Sequence, residues 1–292
     1  MASISLPEDL NEVVARALSE DLGAGDLTAG LLPADLEAEA RVVVREPAVL
    51  CGAPWFDEVF AQLDPDITVC WHHDEGDELE TDATVCSVAG RARSLLTGER
   101  TALNFLQTLS GTATTARRHA AAIAGTGTSI LDTRKTLPGL RTAQKYAVRC
   151  GGGNNHRMGL YDAVLVKDNH LAQWGEQWIP KLEALVAEAV IRPSVQFVEV
   201  EVDDLDQFKA VLGISGIDII LLDNMDEEQM KTAVSLRDEV RGSGPAPLLE
   251  ASGAITLENI TSAAGTGVDR IAVGALTHSA LAVDIGMDRA GP

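Results

Sequence analysis

The sequence has no apolar run of about 18 residues or more, so we expect no transmembrane helix. Its first residues, MASISLPEDLNEVV, have neither a basic start nor an apolar core, which argues against a secretory signal. The four cysteines, Cys51, Cys70, Cys86 and Cys150, form no CxxC pair. We therefore expect four buried, inert thiols and predict a cytoplasmic protein without a membrane partner.

The motifs of several large enzyme classes are missing as well. There is no GxGxxG fingerprint and no GxxxxGKS or GxxxxGKT loop, which argues against dinucleotide-binding and P-loop proteins. Neither GxSxG nor HExxH occurs, and no protein-kinase signature is present. The acidic pair followed by a T-G-T loop, found in phosphoribosyltransferases with a doubly wound sheet, is absent too.

Positive charge is scarce overall but concentrated in one segment. The chain has 23 Lys+Arg against 44 Asp+Glu, a net charge of −21, which disfavours binding to nucleic acid or to an anionic membrane. Residues 91–167 nevertheless contain twelve basic and three acidic side chains. Such a segment is either a solvated basic face or a site for a small anion, and the motifs below favour the anion site.

A length of 292 residues suggests two domains at roughly 100–200 residues each. The first about 110 residues mix expected helices at 10–17 and 54–63 with expected strands at 41–50, 67–71 and 82–88. A long helical pattern follows at 94–122, interrupted by Gly98 and Gly111. The run 72–78, which begins with two histidines, is interpreted as a polar hairpin turn and not as a metal site.

Strands and helices alternate after residue 127, which predicts parallel strands with helical crossovers. The expected strands lie at 129–132, 163–167, 197–202, 218–223, 248–251 and 270–273. Such units form either an open doubly wound sheet or a barrel. A barrel is favoured because no GxGxxG follows the first strand and because polar residues end nearly every strand.

The residues that could take part in binding or catalysis lie at the ends of the expected strands. The expected strands end in or lead into Asp132–Thr136, Lys167–His170, Asp223–Asn224, Glu250–Gly253 and Gly274–His278. Glu199 and Glu201 lie on one face of a strand, because their spacing is two. In a parallel barrel the carboxyl ends of the strands share one mouth, so we expect these groups to converge.

Four basic residues at this mouth predict an anionic ligand: Arg134, Lys135, Arg157 and Lys167. Arginine suits bidentate recognition of carboxylate or phosphate, and lysine acts as a point charge. Gly151–Gly153 precede His156 and Arg157; by itself this run is either a flexible loop or part of the site.

Two carboxylates on neighbouring strands, Glu201 and Asp223, would repel each other unless they share Mg²⁺ or accept from a vicinal diol. Glycine-containing turns at Ser252–Gly253 and Gly274–Ala275 suit a terminal phosphate. Together these groups predict a phosphorylated sugar with Mg²⁺ and a second anionic partner. Arg100 precedes the barrel, and it could complete the mouth of a second subunit.

At this point the sequence resembles the quinolinate phosphoribosyltransferase family. The matching stretches run in order through nearly the whole chain. They are EDLGAGDLT (20–28), REPAVLCGAPWFDEVF (45–60), GERTALNFLQTLSG (98–111), LDTRKTLPGLRTAQKYAVRCGGGNNHRMGLYDAVLVKDNH (131–170), VEVEV (198–202), ILLDNM (220–225), EASGAIT (250–256) and IAVGALTHS (271–279). The block at 131–170 is the most specific.

The resemblance implies an α/β fold with an N-terminal α/β sandwich domain and a C-terminal incomplete (β/α) barrel of parallel strands. The expected domains are 1–112, joined by the tail 280–292, and 113–279. It also implies a homodimer or dimer-based oligomer, and a Mg²⁺-dependent glycosyltransferase of NAD biosynthesis. That enzyme joins quinolinate to phosphoribosyl pyrophosphate and releases nicotinate mononucleotide, pyrophosphate and CO₂.

Five of the expected roles concern the organic anion and the sugar. Arg134, His156 and Arg157 resemble the family's clamp on the quinolinate carboxylates. Lys135 and Lys167 resemble the lysines that face quinolinate and the pyrophosphate-bearing sugar.

Further roles concern the partner subunit, the metal and the phosphate. Arg100 resembles the arginine that one subunit donates to the other, and Glu201 and Asp223 resemble the carboxylates for Mg²⁺ and the ribose hydroxyls. The expected loops for the 5′-phosphate contain Ser252, Gly253 and Gly274. Ala254 stands where the family often has glycine, which is tolerable unless that residue needs a positive φ.

Two other functions are compatible with the same fold. One is a related enzyme with another substrate, such as a nicotinate-using transferase or a paralogue associated with molybdate transport. The retained cationic clamp argues against nicotinate, which has only one carboxylate to bind. The other is a non-catalytic metabolite-binding protein, which predicts losses at the Mg²⁺ and lysine positions that this sequence does not show.

Overall fold

The computed structural model describes residues 4–241 and 246–289. The described chain forms two compact units. The first contains the chain up to Arg117, Thr136–Gly152 and the chain from Leu276 onward, and the second contains Arg118–Lys135 and Gly153–Ala275. The parts of the expected domains at 1–3, 242–245 and 290–292 lie outside the described residues. The boundary between residues 112 and 113 stays a prediction.

The helices and strands are numbered here in chain order. The helices are α1 (Leu10–Leu22), α2 (Ala53–Leu63), α3 (Ala92–Ala122), α4 (Arg141–Cys150), α5 (Asp168–Trp174), α6 (Trp178–Ala189), α7 (Leu205–Leu212), α8 (Glu227–Arg241), α9 (Ile260–Gly265) and α10 (Ala275–His278). The strands are β1 (Glu37–Val44), β2 (Ala48–Val49), β3 (Thr68–Trp71), β4 (Glu78–Leu79), β5 (Thr84–Arg91), β6 (Ser129–Leu131), β7 (Val164–Val166), β8 (Val198–Val202), β9 (Ile219–Asp223), β10 (Leu248–Ser252), β11 (Arg270–Ala272) and β12 (Ile285–Arg289).

The first unit is built on an antiparallel sheet with the strand order β12-β1-β5-β3. Val42 of β1 pairs with Cys86 of β5 on one side and with Met287 of β12 on the other. The buried face of this sheet packs on apolar side chains of α1, α2 and α3 in one continuous core. This core places helices on a sheet, as an α/β sandwich requires.

The expected strand at 41–50 is wrong in its extent, because the structure forms β1 and β2 with a break between them. β1 pairs with β5 and β12, whereas β2 pairs with β4. Pro47 lies in the break; proline has no N–H to donate to a strand ladder, so the chain leaves one sheet there and enters another.

The long helix α3 runs through both glycines that interrupt its sequence pattern. A Cβ at Gly98 would lie 2.7 Å from the Phe60 ring, and one at Gly111 would lie 2.0 Å from the carbonyl oxygen of Leu281. These glycines therefore permit close packing within the first unit and do not end the helix.

The second unit contains a six-stranded parallel sheet with the order β6-β11-β10-β9-β8-β7. From β7 to β11 each strand lies beside its successor in the chain, and β6, the first of the six, lies beside the last. A doubly wound sheet instead reverses its strand order at a switch point. The order is that of a barrel left open between β6 and β7, which confirms the predicted fold class.

One expectation about the cysteines is wrong. Cys51, Cys86 and Cys150 are buried, but Cys70 is exposed. Cys70 lies on β3, an edge strand whose alternate residues face outward, so the sequence pattern of the strand places it on the open face. No helix among residues 4–241 and 246–289 is both long and apolar enough to cross a membrane.

Candidate active site

The structure places all but one of the expected site residues in the second unit. The second unit contains Arg134, Lys135, His156, Arg157, Lys167, Glu201, Asp223, Ser252, Gly253 and Gly274. Arg100 instead lies exposed on α3 in the first unit.

A lysine and a group of carboxylates meet where β7, β8 and β9 end. The Nζ atom of Lys167 lies 2.5 Å from Oε2 of Glu201. Burial raises the pKa of Glu201, the contact with Lys167 opposes that rise, and the charges of Asp223 and Asp168 add to it. Burial raises the pKa of Asp203 as well, and the same two aspartates contribute. Negative charge is therefore crowded at this edge of the sheet.

The crowded carboxylates fit a hard divalent cation. Glu201 is buried and Asp223 is half-buried, and both supply the carboxylate oxygen atoms that Mg²⁺ prefers. The side-chain amide of Asn224 donates to Oδ2 of Asp223 at 2.8 Å, which holds that carboxylate in one orientation. A bound cation would offset the repulsion that raises the pKa of Glu201.

Two guanidinium groups of the site, those of Arg134 and Arg157, influence each other electrostatically. Burial lowers the pKa of Arg157, and the positive charge of Arg134 lowers it further, whereas Glu199 and Asp162 raise it. The Nη1 atom of Arg157 donates to the carbonyl oxygen of Ala163 at 3.3 Å, which fixes the side chain. Two arginines with like charge in one site favour the binding of a ligand that has two anionic groups.

Asp132 shapes the loop that carries His156 and Arg157. Its carboxylate is fully buried and accepts from the backbone N–H of His156 at 2.9 Å and from the side-chain amide of Asn155 at 2.6 Å. The loop is also held by a bridge between Leu131 and Asn154. Sequence reasoning gave Asp132 no role of its own, although its position directly after β6 was a usable signal.

His156 lies within a buried ionic cluster. Its Nε2 atom is 2.9 Å from Oε2 of Glu199 and 3.3 Å from Oε1 of Glu250, and the Nε atom of Arg270 is 2.7 Å from Oε2 of Glu250. Burial alone would lower the pKa of His156, but the two carboxylates outweigh it and raise the pKa to about 9. Burial also raises the pKa of Glu199, with Glu250 adding to the rise.

The ring of His156 is turned toward this cluster on one side and toward its own loop on the other. Its Nδ1 atom accepts from the backbone N–H of Arg157 at 2.7 Å, so both the ring proton and the extra proton of the cluster lie between Nε2 and the glutamate oxygens. The cluster thus holds one proton more than separate residues would at neutral pH, shared between His156 and the glutamates. Sequence reasoning placed Glu250 at a strand end without giving it a role, and it did not single out Arg270; in the structure Glu250 lies in the middle of β10.

The turn after β10 has a strained backbone. Gly253 has φ 91°, Ala254 has φ 31°, and Asn224 on the neighbouring turn has φ 52°. A Cβ at Gly253 would lie 2.1 Å from Oδ1 of Asn224. Ala254 therefore does adopt the positive φ that its replacement of glycine put in question. The register sets Ser252 beside Asp223, so this turn borders the carboxylates.

Comparison with known proteins identifies relatives along the whole chain. The family model for the C-terminal domain of quinolinate phosphoribosyl transferase matches residues 112–288, and the model for the N-terminal domain matches residues 26–110. A carboxylating nicotinate-nucleotide pyrophosphorylase from Mycobacterium leprae is 45% identical over 283 residues, which cover 95% of this chain and 96% of the relative.

Two further comparisons agree. A probable carboxylating nicotinate-nucleotide pyrophosphorylase from Bacillus subtilis is 38% identical over 280 residues, covering 96% of this chain and 93% of the relative. The solved structure of the nicotinate-nucleotide pyrophosphorylase from Francisella tularensis has 40% sequence identity and a TM-score of 0.86, and the match covers 98% of each chain.

Proposed function

The chain belongs to the quinolinate phosphoribosyltransferase family, and we propose that the strand-end site of its second unit carries the reaction of that family. The enzyme is a decarboxylating pentosyltransferase of NAD biosynthesis. It joins quinolinate to phosphoribosyl pyrophosphate and releases nicotinate mononucleotide, pyrophosphate and CO₂.

The main support for this assignment is the electrostatic influence of Arg134 on Arg157 within the site. Burial and the charge of Arg134 both lower the pKa of Arg157, and an anion bound between the two guanidiniums would offset both effects. Quinolinate carries two adjacent carboxylates, and each can accept a bidentate pair from one arginine. Nicotinate has one carboxylate and could form such a bidentate pair with only one of the two arginines.

The sugar phosphate is assigned to the opposite part of the same strand ends. Glu201 and Asp223 would hold Mg²⁺, which when bound neutralises charge on the pyrophosphate. The N–H groups of the turns that contain Ser252, Gly253 and Gly274 would bind the 5′-phosphate. Lys135 is exposed and Lys167 is half-buried, so both can reach the departing pyrophosphate as movable cations.

The chemistry then follows from positioning and charge. The arginine pair directs the pyridine nitrogen toward the anomeric carbon, and the C–O bond to pyrophosphate breaks as the new C–N bond forms. Basic side chains stabilise the leaving anion. The ring nitrogen becomes cationic and stabilises the electron pair of the neighbouring C–C bond, so the carboxylate beside it leaves as CO₂. The ring carbon keeps that electron pair and takes a proton from water. No covalent enzyme intermediate is required.

Two parts of the proposal concern the assembly and its place in the cell. Arg100 lies in the first unit, apart in the chain from the other site residues, and we assign it to the active site of a partner subunit in a homodimer. A cytoplasmic location stays a prediction from the sequence.

A product assay tests the proposal. The purified protein is incubated with phosphoribosyl pyrophosphate, Mg²⁺ and either quinolinate or nicotinate, and nicotinate mononucleotide is separated by chromatography. Formation from quinolinate alone is expected. Formation from nicotinate would move the protein to a related transferase, and failure with both substrates would favour a metabolite-binding role.

A further inference from the structure

We propose that Cys51, Cys150 and Glu75 form a zinc-binding site in the first unit, separate from the residues assigned to catalysis. The two Sγ atoms and a carboxylate oxygen of Glu75 all lie within 4.8 Å of one another. Both cysteines are buried and the glutamate is half-buried. Two thiols and one carboxylate are a ligand set that zinc accepts.

The three ligands come from separate segments that backbone hydrogen bonds join together. Cys51 follows β2, Glu75 lies in the turn between β3 and β4, and Cys150 ends α4. The N–H of Gly76 donates to the carbonyl oxygen of Leu50 at 2.8 Å. The turn is thereby fixed against the segment that carries Cys51.

Arg117 fixes the third segment to the same turn. One of its terminal nitrogens, Nη2, donates to the carbonyl oxygens of Gly76 at 3.1 Å and of Cys150 at 3.3 Å. Its Nε atom donates to the carbonyl oxygen of Gly151 at 3.1 Å. The guanidinium therefore holds the end of α4 beside the turn, and the ligands are arranged before any metal arrives.

Glu75 is oriented so that one oxygen is left to face the thiols. Its Oε1 atom accepts from the backbone N–H groups of Gly52 at 2.8 Å and Ala53 at 2.7 Å, at the start of α2. Its Oε2 atom accepts from the thiol of Cys150 at 3.5 Å. Such outer contacts fix the direction of a ligand and are typical of metal sites.

The chemistry of the site favours a thiophilic divalent cation. Zinc binds sulfur at about 2.3 Å in a tetrahedron, which sets ligand atoms under about 4 Å apart, and a small adjustment of the thiols reaches that spacing. Burial raises the pKa of the Cys51 thiol, so zinc has to displace a proton from it. Each Sγ loses its proton to solvent as its bond to zinc forms, and water takes the fourth position; no oxidation or reduction is involved.

The two histidines near Glu75 in the sequence are not part of this ligand set. The Nε2 atom of His72 contacts Oγ of Ser87 at 3.0 Å, and the cluster contains neither His72 nor His73. The run 72–78 forms a turn but not the expected hairpin, because β3 pairs with β5 and β4 pairs with β2. The run was not expected to bind metal, because its ligand set arises only when Glu75 meets two cysteines that are distant in the sequence.

Zinc content of the full-length protein tests the site. The protein is incubated with ZnCl₂ and separated from unbound metal by gel filtration. Its zinc content is then measured by inductively coupled plasma mass spectrometry. We expect one zinc per chain in the wild type and in the matched controls Cys86→Ser and Cys70→Ser. We expect none in Cys51→Ser and Cys150→Ser, and about tenfold weaker binding in Glu75→Gln.

A second measurement on the unaltered chain guards against variants that fail to fold. Titration with Co²⁺ should produce a sulfur-to-cobalt charge-transfer band that zinc then abolishes. A wild-type chain without stoichiometric zinc and without this band would overturn the site. Equal zinc in Cys51→Ser and Cys86→Ser would overturn it too. Neither result would affect the product assay for the transferase.

Discussion

The side chain of Lys167 contacts Glu201 directly, with 2.5 Å between Nζ and Oε2. The same carboxylate is assigned to Mg²⁺, so Lys167 and the metal ion would share it. The lysine supplies part of the positive charge that the buried carboxylate needs, and Asp223 adds negative charge beside it. A cation brought with the substrate therefore enters a site that is already short of positive charge.

Replacement of Glu201 tests this arrangement. Glu201→Gln keeps the shape of the side chain but removes its charge, so the Mg²⁺ concentration for half-maximal rate should rise about tenfold or more. The matched control is Glu228→Gln, which removes an exposed carboxylate paired with Lys231 on α8. A Mg²⁺ titration of initial rates measures the effect. Coincident curves for the wild type and Glu201→Gln would remove Glu201 from the metal site.

The strained turn after β10 gives a prediction for the phosphate. Gly253→Ala would place a Cβ 2.1 Å from Oδ1 of Asn224, so the turn must shift and KM for phosphoribosyl pyrophosphate should rise about tenfold or more. Gly265→Ala is the control, because a Cβ there meets no atom within 4 Å. Ala254→Gly relieves the positive φ and should leave KM no higher. An unchanged KM in Gly253→Ala would contradict the phosphate assignment of this turn.

The cluster around His156 makes stability depend on pH. The pKa of His156 is about 9 in the folded chain and about 6.5 in an unfolded one. Its stabilising contribution is therefore complete below about pH 6.5 and is lost as the pH rises through about 9, with an upper limit of about 3 kcal/mol. In His156→Gln the free energy of unfolding should not show this decrease with rising pH. In the control His72→Gln, which changes an exposed histidine, the decrease should remain.

Urea unfolding over that pH range measures the free energy of unfolding for each of these variants. If the wild type and His156→Gln lose stability in parallel as the pH rises, the extra proton of the cluster does not exist.

Subunit mixing tests the role of Arg100. Arg100→Ala and Lys135→Ala should each be inactive but folded, because the first side chain is exposed on α3 and the second is exposed after β6. In a mixture, each heterodimer has one intact and one doubly altered site, so about a quarter of the wild-type activity should return. Subunit exchange is checked by native mass spectrometry. Exchange without any return of activity would contradict a shared site.

Much of the second unit could be predicted from the sequence, because buried parallel strands have short apolar runs. The expected strand at 218–223 corresponds to β9, and the polar residues that follow each strand lie at the predicted edge of the sheet. The short helix α5 was harder to predict. α5 begins at Asp168, directly after β7, and the ring of His170 accepts from the N–H of Lys167 at 2.9 Å. A helix of seven residues is too short for its periodicity to reveal it.

The ionic cluster of the site could not be predicted for a different reason. Glu199 and Glu201 share a strand face, but the sequence does not show that Glu199 meets His156 while Glu201 meets Lys167. The partners come from loops and strands far apart in the chain, and only the folded sheet brings them together. The same holds for Arg270, which the register sets beside Glu250.

We expect this site to bind quinolinate by both carboxylates and to expel the carboxylate beside the ring nitrogen. Quinolinate labelled with carbon-13 in that carboxylate is turned over with phosphoribosyl pyrophosphate and Mg²⁺, and trapped CO₂ and nucleotide are analysed for label. We predict one labelled CO₂ for each nicotinate mononucleotide and no label in the nucleotide. Label retained in the nucleotide, or nucleotide formed without CO₂, would contradict the account.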